Sequence, residues 1–219
     1  MRLPTSPQVK GRPLISSHKP LEWLRAQPDN RIAFFQGFLR NPMEVGSVIP
    51  SSRFLERRLA HSAGLARARV VVELGPGTGG TTRALLRAMG DDARLLAIEL
   101  NADFVPLLRA KTPDPRLHVC QGDAADLPAL LSAHGLAAPD VVVSGIPFST
   151  LPRATGLGIL RSIHASLPEG GRFVAYQVRD RVETLGNRVF GPASVEVVLR
   201  NIPPMRVFRW TKRAAARDH

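Results

Sequence analysis

The feature that most constrains the fold is a glycine-rich segment, ELGPGTG at residues 73–79. The three valines before it have the pattern of a short buried strand, and residues 81–89 after it have the apolar spacing of a helix. Gly75, Gly77 and Gly79 let the backbone turn sharply off the strand and approach a ligand, because a Cβ would block that approach. This order of elements predicts the first unit of a nucleotide-binding α/β fold.

The rest of the chain continues the alternation of strands and helices. Apolar runs predict further strands at residues 94–100, 117–120, 140–144 and 172–178. Helical spacings lie between them at residues 105–110, 124–134 and 155–167. Two last strands, 195–199 and 205–210, flank Pro203 and Pro204 and suit an antiparallel hairpin. We therefore expect a doubly wound, mostly parallel seven-stranded sheet, with its ligand at the carboxyl ends of the strands.

Acidic residues follow three successive predicted strands. The spacing of residues 75–80 fits Gly-x-Gly-x-x-Gly loosely, which alone leaves a dinucleotide open. Glu73, however, precedes the first glycine, where a carboxylate would repel a pyrophosphate but can accept a hydrogen bond from a methionine ammonium. Glu99 is placed to bind ribose hydroxyls and Asp123 to bind an adenine amine. A helix N-cap is the alternative for either residue alone, whereas all three together favour S-adenosylmethionine.

Composition limits the organisation of the chain. With 219 residues and 44% hydrophobic residues, we expect an N-terminal arm with helices at residues 1–64 and one catalytic domain at residues 65–219. Cys120 is the only cysteine, so we expect no disulfide and no metal site. No continuous apolar segment predicts a signal peptide or a membrane span. The expected compartment is the cytoplasm.

Positive charge is concentrated at the two ends of the sequence. Residues 1–69 carry 12 Lys or Arg against 4 Asp or Glu, residues 70–160 carry 7 against 9, and residues 161–219 carry 11 against 5. Basic flanks around a neutral core indicate a polyanionic partner, either a nucleic acid or an anionic membrane. A solvated arginine-rich surface is the simpler alternative.

An amphipathic helix is predicted before the catalytic core. Pro28, Asp29 and Asn30 precede a helical stretch at residues 31–40 whose apolar face would consist of Phe34, Phe35, Phe38 and Leu39. Flanking arginines make this face suitable for insertion between anionic headgroups. Packing of the same side chains on the sheet is the alternative. Residues 46–52 then form a loop in which Ser51 or Ser52 caps the next helix.

These motifs resemble a known family. Residues 73–79, Glu99 and residues 122–123 resemble the motifs of class I methyltransferases. More narrowly, GSVIPSS at residues 46–52, ELGPGTG and SGIPF at residues 144–148 are similar to those of bacterial phosphatidylethanolamine N-methyltransferases, which are related to the rRNA adenine dimethylases. The resemblance implies S-adenosylmethionine as methyl donor and S-adenosylhomocysteine as product. It also implies further cofactor contacts from Ser47, Pro76, Thr78, Leu100, Gly122, Ala124 and Ser144.

The loop after the fourth strand separates two possible acceptors. Aligned with the adenine dimethylases, Gly145 stands where they carry Asn, and glycine cannot hold an exocyclic amine through its side chain. Ser144 could supply the oxygen instead if the alignment shifted by one residue, which leaves RNA open as an acceptor. For an aliphatic amine, the Tyr176 hydroxyl would orient the nitrogen, and the backbone carbonyls of Gly145 and Ile146 would accept from it. The alternative for Tyr176 is a strand tyrosine packed under a helix with its hydroxyl at the surface. Phe148 would cap the reacting centre or pack in the core, and Arg179 would hold a phosphate or lie exposed in solvent.

We therefore expect methylation of phosphatidylethanolamine and its mono- and dimethyl forms, giving phosphatidylcholine. The chain would act as a monomer bound peripherally to the anionic inner membrane, without an obligate nucleic acid. RNA adenine methylation is the alternative, and a small-molecule amine is the third possibility.

Overall fold

The computed structural model describes residues 52–214. The predicted amphipathic helix with Phe34, Phe35, Phe38 and Leu39, and Ser47 of the loop that follows it, lie outside the described residues. Within residues 52–214, none of the helices has both the length and the apolar character needed to cross a membrane.

Strands and helices alternate through the described chain. The helices are α1 (Arg53–Ala63), α2 (Gly80–Ala88), α3 (Phe104–Lys111), α4 (Leu127–Ala133), α5 (Arg153–Ser166) and α6 (Arg181–Phe190). The strands are β1 (Val70–Leu74), β2 (Arg94–Glu99), β3 (Leu117–Gln121), β4 (Val141–Ser144), β5 (Arg172–Gln177), β6 (Ser194–Val198) and β7 (Met205–Thr211). Short 3-10 turns occupy Leu65–Arg67 and Ala124–Asp126.

The strands form one seven-stranded sheet in the order β3-β2-β1-β4-β5-β7-β6. The pairs from β3 to β5 are parallel, whereas β7 runs antiparallel to both β5 and β6. The predicted doubly wound sheet and its closing hairpin are therefore confirmed. The strand order reverses between β1 and β4, so a crevice is expected at their carboxyl ends.

Helices cover both faces of the sheet because alternate strand residues are apolar on each side. On one face, Leu55, Leu59 and Ala63 of α1 pack with the α2 side chains against Val71 and Val207. On the other face, α5 and α6 cover Phe173, Phe208 and Trp210. The N-cap of α1 is Ser52, whose hydroxyl accepts from the Leu55 N–H at 3.2 Å, one of the two caps expected from the sequence.

The sequence prediction missed α6. Its buried residues Val182, Leu185, Gly186 and Phe190 have helical spacing but are separated by polar side chains, so the apolar signal is thin. Gly186 brings the helix backbone against the Trp210 ring, where a Cβ would lie only 2.5 Å from Cζ2. This close approach fixes α6 over the end of β7.

Candidate active site

The glycine-rich loop leaves β1 with three glycines in left-handed backbone conformations. Their φ angles are 72° at Gly75, 53° at Gly77 and 82° at Gly79, a region that side chains with a Cβ rarely adopt. Gly79 is the N-cap residue of α2 and donates its N–H to the Pro76 carbonyl at 3.0 Å. The loop thus turns tightly into α2 through Thr78. The space beside Gly77 is open, since a Cβ on this residue would meet nothing within 4 Å.

Glu73 is a buried carboxyl group at the end of β1. Its side chain is 1% exposed, and one oxygen accepts a hydrogen bond from the Thr82 hydroxyl at 2.6 Å. The other oxygen has no hydrogen-bond partner among residues 52–214. Burial raises the pKa of Glu73 to about 7, the Thr82 hydrogen bond opposes this rise, and the nearby Glu99 carboxyl adds to it. The site therefore contains an unpaired, titratable acceptor.

Glu99 connects the loop to β2. One of its carboxyl oxygens accepts from the Gly77 N–H and the other from the Asn101 N–H, both at 3.0 Å. Burial raises its pKa, and backbone donors at Asn101, Gly77 and Leu100 oppose the rise. Because a carboxylate offers about four lone-pair positions, these bonds leave acceptor capacity for ribose hydroxyls. That role remains a prediction.

The third acidic residue lies where β3 ends. Asp123 is partly exposed and accepts from the Ala125 N–H at 2.9 Å, so it caps the following 3-10 turn. Capping of a helical turn is the role that the sequence offered for Asp123 as the alternative to binding adenine. Gly122 beside it packs closely, since a Cβ would lie 2.7 Å from Leu130 Cδ1, and Ala124 is buried. Adenine binding by this turn remains a prediction.

Gly145 and Tyr176 are brought into direct proximity from β4 and β5. A Cβ on Gly145 would lie 2.5 Å from the Tyr176 hydroxyl oxygen and 3.2 Å from the Gly75 carbonyl oxygen. The tyrosine hydroxyl is also 2.9 Å from Thr81 Oγ1. Burial raises the pKa of Tyr176, the Glu73 charge adds to this, and the Thr81 contact opposes it. The hydroxyl therefore stays protonated at neutral pH beside the glycine-rich loop.

The remaining predicted residues of the β4 loop have structural contacts. Ser144 is buried, and its hydroxyl accepts from the Ile146 N–H at 3.2 Å. The Ile146 carbonyl accepts from the Gln177 side-chain amide and from the Phe148 N–H, so both of its lone pairs are engaged. Phe148 is 0% exposed in the core, the alternative considered for it. Arg179 is exposed after β5.

Three polar contacts of the site were not predicted. Thr81 and Thr82 at the start of α2 bond to Tyr176 and Glu73, and Gln177 bonds to the β4 loop. The two threonines directly follow the glycines and precede an apolar helical pattern, which is a usable signal for side chains facing the ligand end of β1. Gln177 follows Tyr176 and faces the opposite side of its strand, so nothing in the sequence distinguishes it.

The donor and acceptor groups fit a nucleoside cofactor with an amino-acid moiety. The unpaired Glu73 oxygen would accept from its ammonium, and the left-handed glycines allow close approach of the loop backbone. No cluster of three or more His, Cys, Asp or Glu that could hold a metal occurs in the described part of the chain.

Comparison with known proteins agrees with this geometry. A family model described as a methyltransferase domain matches residues 71–171. The ornithine lipid N-methyltransferase of Singulisphaera acidiphila is 31% identical over 173 residues, covering 78% of this chain and 90% of that protein. The ribosomal RNA small subunit methyltransferase A of Caulobacter vibrioides is 41% identical over 95 residues, which cover 42% of this chain and 34% of that protein.

A solved structure shows the same fold. An O-methyltransferase from Bacillus cereus in complex with S-adenosylhomocysteine superimposes with a TM-score of 0.59 at 11% identity, over 87% of this chain and 96% of that chain. The methyl donor is S-adenosylmethionine, as the sequence predicted. The chain therefore belongs to the class I S-adenosylmethionine-dependent methyltransferases, in the family that includes the ornithine lipid N-methyltransferase of Singulisphaera acidiphila.

Proposed function

We propose that the chain methylates the headgroup amine of a membrane lipid, with phosphatidylethanolamine and its mono- and dimethyl derivatives as acceptors. The observation that carries this proposal is the position of the Tyr176 hydroxyl against Gly145, beside the glycine-rich loop. S-adenosylmethionine supplies an electrophilic methyl group to the nucleophile. The protein must supply a place that holds and orients an amine.

The Gly145–Tyr176 pair disfavours an adenine acceptor. In the adenine dimethylase pattern, the residue at this position carries a side-chain oxygen for the exocyclic amine. Here the Tyr176 hydroxyl occupies the space in which such a side chain would begin. An Asn at position 145 would displace the tyrosine, so the two arrangements exclude each other.

The same hydroxyl suits an aliphatic amine. An amine of this kind is mostly protonated at neutral pH, so the site must hold the neutral amine that remains after a proton passes to water. Because the pKa of Tyr176 is raised, its Oη keeps its own proton and offers a lone pair to an N–H. Tyr176 therefore acts as a hydrogen-bond acceptor and not as a general base, and its position is stabilised by Thr81.

The relatives support a lipid as the source of the amine. The ornithine lipid N-methyltransferase aligns over 90% of its own length, whereas the ribosomal RNA methyltransferase of Acidithiobacillus ferrooxidans, which covers an equal 78% of this chain, aligns over 58% of its own length. Ornithine lipid is accordingly the acceptor to compare with phosphatidylethanolamine. The basic flanks of the sequence fit a peripheral position on an anionic inner membrane, reached from the cytoplasm.

The test is radiolabel transfer from S-adenosylmethionine to three acceptors in parallel. These are phosphatidylethanolamine vesicles, ornithine lipid vesicles and ribosomal particles, each with a Tyr176→Phe control. We expect label in phosphatidylethanolamine and its methylated forms. Label found only in ornithine lipid would overturn phosphatidylethanolamine as the acceptor and assign ornithine lipid in its place. Label found only in RNA would overturn the lipid proposal.

The N-terminal segment, residues 1–64, is proposed to contribute membrane binding. Phe34→Asp combined with Phe38→Asp is expected to abolish sedimentation with anionic vesicles and to leave cofactor affinity nearly unchanged. Unchanged sedimentation would exclude this role for the predicted helix.

A further inference from the structure

We infer that the turn between β6 and β7, together with the start of α1, forms a second membrane-binding surface that inserts beside the active site. This inference rests on the proposed lipid substrate. We call it the hairpin surface and define it as Phe54, Val197, Leu199, Arg200 and Ile202. Its occupant is the interface of an anionic lipid bilayer.

The hairpin surface exposes large apolar side chains at the edge of the sheet. Ile202 is 91% exposed, Leu199 75%, Val197 55% and Phe54 44%. Val197 lies near the end of β6, and Leu199 and Ile202 follow in the turn beyond Val198. Singly exposed apolar residues are ordinary, but a contiguous group at a chain turn is typical of an interaction surface.

Specific contacts hold the two parts of this surface together. The Arg200 guanidinium carbon lies 4.9 Å from the centre of the Phe54 ring. Asn201, which is 1% exposed, accepts from the Ser52 N–H at 3.0 Å and donates to the Pro203 carbonyl at 3.1 Å. The turn and the α1 N-terminus are therefore one bonded unit, with Asn201 buried and its neighbours Arg200 and Ile202 facing outwards.

The hairpin surface lies at the same edge of the sheet as the active site. β7 is antiparallel to both β5 and β6, so β6 runs in the same direction as β5. The carboxyl ends of β5 and β6 therefore lie at the same edge of the sheet, which is the edge of the active site. Tyr176 pairs with Val207, which pairs with Glu196, so the three residues share one row across the sheet. With about 4.8 Å between strands and about 3.3 Å per residue along them, the end of β6 at Val198, next to Leu199, lies roughly 12 Å from Tyr176, on its carboxyl side.

This distance matches the geometry of a lipid headgroup. Apolar side chains of interfacial proteins enter about 5–10 Å into the boundary between headgroups and acyl chains. With the hairpin surface inserted to that depth, the headgroup layer lies level with the carboxyl edge of the sheet. A headgroup amine then reaches the Gly145–Tyr176 pair without the lipid leaving the bilayer.

The charges around the hairpin surface favour an anionic membrane over an apolar protein partner. Five arginines belong to the segments that meet at the carboxyl edge of the sheet: Arg53 at the start of α1, Arg179 and Arg181 after β5, Arg200 in the turn and Arg206 in β7. The nearby carboxyl groups all form ion pairs: Glu196 with Arg58, Asp180 with Arg206 at 3.7 Å and Glu56 with Arg87 at 2.9 Å. Apolar side chains ringed by arginines are the combination that binds anionic interfaces, where each nearby cation adds attraction.

The test is sedimentation of the full chain with vesicles of phosphatidylethanolamine and phosphatidylglycerol. Leu199→Ser combined with Ile202→Ser is expected to lower the partition coefficient about tenfold or more, because both side chains leave water on insertion. The control is Leu107→Ser, a side chain that is 47% exposed on α3, which packs on β2 and β3 at the opposite end of the strand order from β6. Equal binding of the double variant and the control would overturn the inference.

A fluorescent variant distinguishes the occupant. The native protein is measured in parallel to subtract the signal of Trp23 and Trp210. The remaining emission of Ile202→Trp is expected to be quenched by brominated lipid, and that of Leu107→Trp is not. A blue-shifted emission at 202 that vesicles leave unchanged would show that residues 1–51 or a second copy cover the surface, which would also overturn the inference. Vesicle binding without methylation of any lipid would overturn the proposed function and leave the hairpin surface intact.

Discussion

The Tyr176 hydroxyl occupies the space in which a side chain on Gly145 would begin, since a Cβ there would lie 2.5 Å from the hydroxyl oxygen and 3.2 Å from the ring carbon that bears it. Gly145 directly follows β4 and Tyr176 lies in the adjacent parallel strand β5, so both lie at the carboxyl edge of the sheet. The observed position of the Tyr176 side chain therefore requires a glycine at position 145.

This relationship predicts an interaction between two substitutions. Gly145→Ala should destabilise the fold by about 1–3 kcal/mol, because the added methyl group collides with the hydroxyl oxygen. Tyr176→Phe removes that oxygen, so the double variant should recover at least about 1 kcal/mol relative to the sum of the single effects. Recovery will be incomplete, because the Gly75 carbonyl oxygen remains 3.2 Å from the new Cβ. Urea unfolding of the four proteins measures the cycle, and additive effects would contradict the contact.

A second prediction concerns catalysis by the same tyrosine. Tyr176→Phe keeps the ring and removes only the hydrogen-bonding group, so we expect kcat for the lipid amine to fall about 10- to 100-fold. The dissociation constant for S-adenosylmethionine should change little, because the proposed cofactor contacts lie on other residues. Single-turnover methylation and cofactor titration separate the two effects. A weaker cofactor affinity with unchanged chemistry would place Tyr176 in the cofactor site.

The fold could be predicted from the sequence because its elements have strong local signals. Parallel strands such as β1 contain continuous β-branched runs, here residues 70–72, and the glycine loop fixes the direction of the first turn. The α6 helix had no such signal, since its position depends on Gly186 contacting Trp210 from a distant part of the chain. Contacts of this kind between distant segments cannot be predicted from residue spacing.

The active site could be predicted only in part. The positions of Glu73, Glu99 and Gly145 follow from the rule that ligands bind at the carboxyl ends of strands. The sequence did not indicate that Thr82 would bond to Glu73, or that the Ile146 carbonyl would already be engaged by Gln177. Such pairings depend on side-chain directions, which a sequence pattern does not specify.

A third prediction follows from Glu73 and concerns stability. Its pKa is raised from 4.5 to about 7 in the folded protein, so the folded state binds this proton more tightly than the unfolded state. The resulting stabilisation is complete below about pH 4.5 and is lost as the pH rises through about 7, by about 3 kcal/mol at most. Glu73→Gln lacks this dependence. The free energy of unfolding of the variant minus that of the native protein should therefore be larger at about pH 8 than at about pH 5. Urea unfolding at both values tests this, and parallel curves would contradict it.

The same carboxyl group predicts how cofactor binding depends on pH. An ammonium is held best by an ionised carboxylate, so affinity for S-adenosylmethionine should rise as the pH passes through about 7. In Glu73→Gln the affinity should be weaker and should lose this dependence. Calorimetric titration in the absence of lipid measures it. A native affinity that stays constant across this range would show that Glu73 does not contact the ammonium.

The last prediction compares two helical glycines. At Gly186 in α6, a Cβ would lie 2.5 Å from Trp210 Cζ2 and 2.8 Å from Cε2, atoms of a rigid ring that is 1% exposed. At Gly158 in α5, a Cβ would meet nothing within 4 Å. Gly158→Ala should therefore stabilise the protein by about 0.5–1 kcal/mol through helix propensity alone. Gly186→Ala gains the same propensity but must displace the ring, so we expect a net loss of about 1–2 kcal/mol. Thermal unfolding of the two variants measures the difference, and equal stabilisation of both would mean that α6 does not press on Trp210.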